Sequence, residues 1–216
     1  MKRRRVSFRC GELKLEGEYY LPGGDGLFPA AVVCHPHPLY GGSMDNNVVR
    51  AISGALVERG IAALVFNFRG VGGSQGSFDG GRGEQDDVRS AMDWLRGQAE
   101  VDGERTGLVG YSFGAAVALA VASSDERVKA LALVSLPLMD RVQIEQAKSQ
   151  LGNRGMPKLL VCGGEDFVAP PGAVGQVREG VESMEVRVIP GADHFWWGDE
   201  EPVAHTVADF LYRYIG

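Results

Sequence analysis

The sequence predicts an α/β fold: a mostly parallel central sheet with helices on both faces. Three observations predict it. Short unbroken apolar runs recur, such as Ala30-Ala31-Val32-Val33-Cys34, as strands buried on both faces require. Between them lie segments whose apolar residues fall at helical spacing. The two kinds alternate along the chain, the pattern of parallel strands joined by crossover helices. With 216 residues the chain is long enough for one such domain with a substantial core.

Val6 to Tyr20 reads as an antiparallel hairpin, two alternating runs around Cys10-Gly11-Glu12, and Pro22 to Gly26 as a loop. Ala30 to Cys34 is the first buried strand. Val48, Val49, Ile52 and Leu56 place a helix over Asp45–Arg59, closed by Gly60. Ala62 to Phe66 is a strand, and Glu84 to Arg96 a helix with Val88, Ala91, Met92 and Leu95 on one face. Thr106 to Gly110 is a strand and Ala115 to Ala120 a helix packed on all sides. Strands at 128–134, 158–162 and 185–189 alternate with helices at 141–151 and 173–181. A last helix has Pro202 in its first turn. No repeat, linker or low-complexity segment divides the chain, so residues 1–216 read as a single domain.

The composition excludes several function classes. Net charge is −6, the wrong sign for a phosphate backbone, so no nucleic-acid partner is expected. The one basic cluster, Lys2-Arg3-Arg4-Arg5, reads as a solvated end before the first strand. No apolar run reaches the length of a membrane span, and none follows the basic residues as a signal peptide needs. Cys10, Cys34 and Cys162 all fall in expected strands. An odd number of buried thiols suits core packing in a reducing compartment, so the cytoplasm is the expected location.

The chemistry concentrates at Gly110-Tyr111-Ser112-Phe113-Gly114, a G-x-S-x-G between a strand and a helix. A serine at that corner sits on a tight turn with its hydroxyl exposed. The following helix aims its first N–H groups at any anion forming there. A serine hydroxyl is a poor nucleophile until a base takes its proton, and an acid must orient that base. Sheets of this type present their sites at the carboxyl ends of strands. Asp166 and His194 stand just after two later strands and supply the acid and the base. Glu165 is the competing carboxylate. Asp193 is badly placed to reach the ring of the adjacent His194 and reads as a turn residue, and His205 as a surface or packing side chain within the last helix.

The loop His35-Pro36-His37-Pro38-Leu39-Tyr40-Gly41-Gly42 follows the first buried strand, where a second anion-binding N–H is needed. Prolines cannot donate, so the His37 N–H is the expected partner of the Phe113 N–H. His35-x-His37 also has the spacing of a zinc pair. The remaining ligands would have to come from the Ser112 constellation, so neither metal nor cofactor is expected. The glycine-rich stretch from Phe66 to Ser74 lacks dinucleotide-loop spacing and reads as a structural turn, with Arg69 anchoring a buried ion pair in preference to contacting substrate.

With these motifs in view, the chain resembles the α/β-hydrolase superfamily, and within it small lidless hydrolases with HPHPLYGG-type, FNFRGVG, G-[YF]-S-F-G-A and G-A-D-H-F segments. The resemblance runs from about Ala30 to Tyr214. It implies nucleophile Ser112, acid Asp166 and base His194, with oxyanion N–H groups from Phe113 and the loop near His37. Only about twenty residues follow the strand ending near Val134 before the next, too few for a cap domain. An open mouth follows, with Tyr40, Tyr111, Leu136, Leu138, Phe195 and Trp196 as candidate substrate contacts, beside Pro137, Met139 and Trp197. The expected activity is hydrolysis of an ester or thioester of a small to medium acyl substrate. An amidase or peptidase on the same triad, and a non-catalytic binding protein, are the alternatives. A homodimer is compatible with the sequence.

Overall fold

The computed structural model describes residues 2–152 and 154–216. Among these residues eight strands form one sheet in the order β1-β2-β4-β3-β5-β6-β7-β8. They are β1 (Lys2–Cys10), β2 (Leu13–Leu21), β3 (Phe28–Cys34), β4 (Ala62–Phe66), β5 (Val101–Tyr111), β6 (Ala130–Val134), β7 (Lys158–Gly163) and β8 (Met184–Ile189). β1 and β2 form the expected antiparallel hairpin, β2 runs antiparallel to β4, and the other pairings are parallel. The central strands β3, β4, β6 and β7 are almost wholly buried, which is why their sequences are unbroken apolar runs.

Among the described residues six α-helices cover the two faces: α1 (Asn47–Glu58), α2 (Gly83–Arg96), α3 (Phe113–Ala122), α4 (Arg141–Gly152), α5 (Pro171–Arg178) and α6 (Glu200–Ile215). One core joins Leu64, Phe66 and Leu133 with α2, α3, α4 and α5. The other joins Val65, Val109 and Val161 with α1 and α6. Asn46 caps α1 by accepting from the N–H groups of Val48 and Val49. Pro171 at the first turn of α5 moves that helix two residues ahead of the expected start.

One expectation is corrected at the N-terminus. Lys2 to Arg5 are exposed, as expected, but they do not precede the first strand; they lie in β1, paired in register with Leu21 to Glu18. The cause is Glu18, a buried carboxylate on β2 that needs positive partners. Arg3 meets it with two bonds of 2.7 and 2.6 Å, and Arg50 reaches it from α1 at 3.7 Å. The exposed arginines also burden the edge of the sheet with charge, which discourages edge-to-edge pairing.

The turn after β4 is structural, as expected. Glu16 accepts from Asn67 Nδ2 and from the Gly73 N–H. Arg69 is the expected anchor: its guanidinium meets Asp87 of α2 at 2.8 Å, and its own N–H donates to the same carboxylate. Between β6 and β7 the described residues hold a single helix, α4, and no cap domain. Among the described residues, no helix is long and apolar enough to cross a membrane.

Candidate active site

β5 ends at Tyr111 and α3 starts at Phe113, leaving Ser112 alone on the corner with φ 55° and ψ −119°. This backbone region is strained for a residue with a side chain. The two flanking glycines make the corner possible. A Cβ on Gly110 would strike the carbonyl of Gly114. A Cβ on Gly114 would come within 2.5 Å of the carbonyls of Cys34, at the end of β3, and His35 after it. The Ser112 N–H donates to Val134 O on β6 at 2.9 Å, fixing the corner to the neighbouring strand.

Ser112 Oγ lies 3.0 Å from His194 Nε2. His194 Nδ1 lies 3.0 Å from Asp166 Oδ1 and 3.2 Å from Oδ2. Asp166 follows β7, and its Oδ1 also accepts from the N–H groups of Val168 and Ala169, both at 2.9 Å. Burial alone would push the Asp166 carboxyl up. Hydrogen bonds from His194 and the Ala169 N–H outweigh it and hold the group below the usual carboxylate range. His194 follows β8, and its backbone carbonyl accepts from the Tyr111 hydroxyl at 2.7 Å. Glu165 is exposed. Asp193 is the turn residue expected: its carboxylate accepts from the N–H groups of Phe195 and Trp196. His205 is exposed on α6.

The His-Pro-His-Pro loop lies beside this corner. His35 is fully buried. Its Nε2 accepts the Phe68 N–H at 3.0 Å, so the proton sits on Nδ1, which donates to Pro36 O at 2.6 Å. Both nitrogens are thereby committed to the backbone. Burial pushes the ring down to about 4. His37 stacks among Tyr40, Phe78 and Phe113, and its Nδ1 accepts from the Leu39 N–H. The N–H groups of His37 and Phe113 have no hydrogen-bond acceptor among the described residues, and both residues line the cleft over Ser112.

That cleft encloses about 860 Å³. Of the expected contacts, Tyr40, Tyr111, Leu136 and Phe195 line it, as do Pro137 and Met139. Two are corrected. Leu138 is buried in the core, its N–H donating to Val168 O. Alternation in the extended segment turns Leu138 inward between outward-facing Pro137 and Met139. Trp196 is also absent from the rim and wholly buried. The Asp193 turn places it at φ 62° and drives its indole inward, where Nε1–H donates to Ser135 Oγ at 3.0 Å. Trp197 is exposed outside the cleft.

Sequence reasoning missed other parts of the wall. Phe167 stands exposed beside Asp166, its ring 5.9 Å from that of His194. Gly80, Gly81, Arg82 and Gln85 form one side, and Gln143, Gln146 and Gln150 of α4 the other. The glutamine spacing of three and four was a visible signal of one helix face. Among the described lining residues none is Asp or Glu.

Residues 11–154 match the family model described as X-Pro dipeptidyl-peptidase (S15 family). The chain belongs to this family, within the α/β-hydrolase superfamily. The hydrolase is 32% identical to a protein of Rickettsia prowazekii described as uncharacterised, over 96% of this chain and 88% of that one. It is similar to an α/β serine hydrolase homologue from Coxiella burnetii: 32% identity, TM-score 0.82, covering 97% of this chain and 96% of that chain. It is equally similar to a serine hydrolase without a lid from Xanthomonas campestris: 32% identity, TM-score 0.81, covering 98% and 94%. The open mouth of this hydrolase agrees with that lidless relative.

Proposed function

We propose that the protein is a cytoplasmic serine hydrolase that cleaves a carboxylic ester or thioester of a small to medium acyl substrate. The observation that carries this reading is the run of contacts from Ser112 Oγ to His194 Nε2 at 3.0 Å and from His194 Nδ1 to Asp166 at 3.0 Å. Ser112 passes its proton to His194 as its oxygen attacks the acyl carbon. Asp166 holds the imidazole in the Nδ1–H tautomer and stabilises the imidazolium. The carbonyl oxygen, now an oxyanion, is met by the N–H groups of Phe113 and His37, which are free to donate. His194 then protonates the departing alkoxide or thiolate, leaving an acyl-Ser112. Water, deprotonated by His194, releases the acid.

A second reading is peptidase chemistry, favoured by the description of the family model, X-Pro dipeptidyl-peptidase. Removing a dipeptide from a free amino terminus requires a partner for an ammonium group. The described cleft offers no carboxylate and one guanidinium, Arg82, which supports the ester reading. The test is a comparison of kcat/KM for p-nitrophenyl butyrate and for Gly-Pro-p-nitroanilide. Faster turnover of the ester supports this reading; the reverse order would replace it with the peptidase.

A further inference from the structure

From Phe113 to Ala122, α3 is built of Phe, Gly, Ala, Val and Leu alone. A helix apolar all round is ordinarily covered all round. Ala116 is nevertheless exposed and Ala120 half-buried. With Ser112 they fall at i, i+4 and i+8, in line along one face. All three line the cleft, so its volume of about 860 Å³ extends from the nucleophile along the open face of α3. That continuity with the reacting atom is what makes the face a subsite. Its floor is methyl groups, and α4 adds a wall of Gln143, Gln146 and Gln150, whose amides carry no charge.

The leaving half of the substrate takes its proton from His194, whose ring stands 5.9 Å from that of Phe167 and 5.7 Å from that of Phe195. That aromatic side belongs to the leaving group, and the arm over α3 is left for the acyl half. Ala116 stands one turn from Ser112 and Ala120 two, about 6 and about 12 Å along the axis. Bonds of about 1.5 Å advance an extended chain by ~1.25 Å per carbon, so it passes Ala116 at about its fifth carbon and Ala120 at about its tenth.

We propose that the face of α3 from Ala116 to Ala120 is the subsite for a straight, uncharged acyl chain of about eight to ten carbons, and that these two alanines set its length. The assignment rests on the Ser112, His194, Asp166 reading above and names the acyl group that reading leaves open.

The test is kcat/KM for p-nitrophenyl esters from acetate to hexadecanoate, each below its critical micelle concentration. It uses the wild type, Ala116→Leu, Ala120→Leu and Glu145→Leu, with a thermal melt for each. Glu145 is exposed on α4 outside the cleft, so its replacement controls for added apolar bulk. Leucine forms helix nearly as well as alanine, so both α3 variants are expected to melt near the wild type. Wild-type kcat/KM is expected to climb about twofold per carbon, as for methylenes covered on one side, and to level off at about ten carbons. Ala120→Leu should level off at about six to eight carbons and Ala116→Leu at about four, with Glu145→Leu like the wild type. If Ala116→Leu melts early, Ala120→Leu and the wild-type profile decide. A wild-type profile that is flat or falls from acetate onward would overturn the subsite. So would an unshifted limit in the folded α3 variants, or a limit that follows the alcohol in alkyl acetates and not the acyl chain. With Ser112 labelled by a fluorophosphonate and acetate turned over, those results fall on the subsite alone. Absence of both labelling and ester turnover overturns the triad reading and the subsite together.

Discussion

The Tyr111 hydroxyl donates to the backbone carbonyl of His194 at 2.7 Å, tying the residue before Ser112 to the main chain that carries its base. The end of β5, in the middle of the chain, is thereby tied to the loop after β8. Tyr111→Phe removes the donor and leaves a buried carbonyl unpaired. It is expected to cost about 1 kcal/mol of stability in a urea titration and to lower kcat several-fold, with KM nearly unchanged. Wild-type kcat in that variant would show that other contacts suffice to hold His194.

The two carboxylates after β7 separate cleanly. Asp166→Asn keeps the shape of the side chain but favours the wrong tautomer of His194, so kcat is expected to fall by about four orders of magnitude. Glu165→Gln, at an exposed position, should stay within a factor of two or so. Steady-state kinetics of the two variants on one ester decides between them. Crippled Glu165→Gln beside normal Asp166→Asn would reverse the assignment.

The strand and helix pattern, the serine corner, and the carboxylate and histidine placed after β7 and β8 were all legible in the sequence because each is a local signal. Glycines at 110 and 114, apolar runs and a helical period need no knowledge of distant residues. What failed was non-local. The arginines of β1 looked like an end before the first strand because Glu18, their reason for being in the strand, is remote in sequence. Trp196 and Leu138 looked like rim residues because which way they face is set by the Asp193 turn and by an extended segment, not by hydrophobicity. The wall formed by α2 and α4 was invisible until the sheet placed those helices beside Ser112.

His35 gives a pH dependence of stability with a definite sign. Its folded-state value is pushed down to about 4 from 6.5, so the unfolded chain binds the extra proton between those limits. The contribution of a neutral His35 is therefore full above about pH 6.5 and is lost as pH falls toward 4, at up to roughly 1.4 kcal/mol per pH unit. Urea midpoints at pH 7 and pH 5 measure it. In His35→Gln the difference between the two midpoints should shrink; an equal difference would place the acid sensitivity elsewhere.

Arg69 is expected to matter for stability and not for catalysis. Arg69→Met leaves the fully buried Asp87 without its guanidinium, a loss of about 3–5 kcal/mol. Activity per folded molecule should survive, since Arg69 does not line the cleft. A stable variant with a raised KM would instead make Arg69 a substrate contact.

The His-Pro-His-Pro loop is read as a backbone device. His37→Asn should lose far less activity than His194→Ala, because a main-chain N–H survives replacement of its side chain. Chelation with EDTA should leave the rate unchanged, since both His35 nitrogens are engaged by the backbone. Activity lost to EDTA and restored by zinc would promote the loop histidines to ligands. The open mouth also implies no rise in rate when a substrate passes from monomer to aggregate.

The most direct measurement is covalent labelling with a fluorophosphonate, followed by intact mass and peptide mapping. Ser112 stands alone on a strained corner with His194 Nε2 at 3.0 Å, so one adduct is expected, on Ser112, absent from Ser112→Ala and slowed greatly in His194→Ala. An adduct on another residue, or no adduct on folded protein, would contradict the assignment of Ser112 as nucleophile.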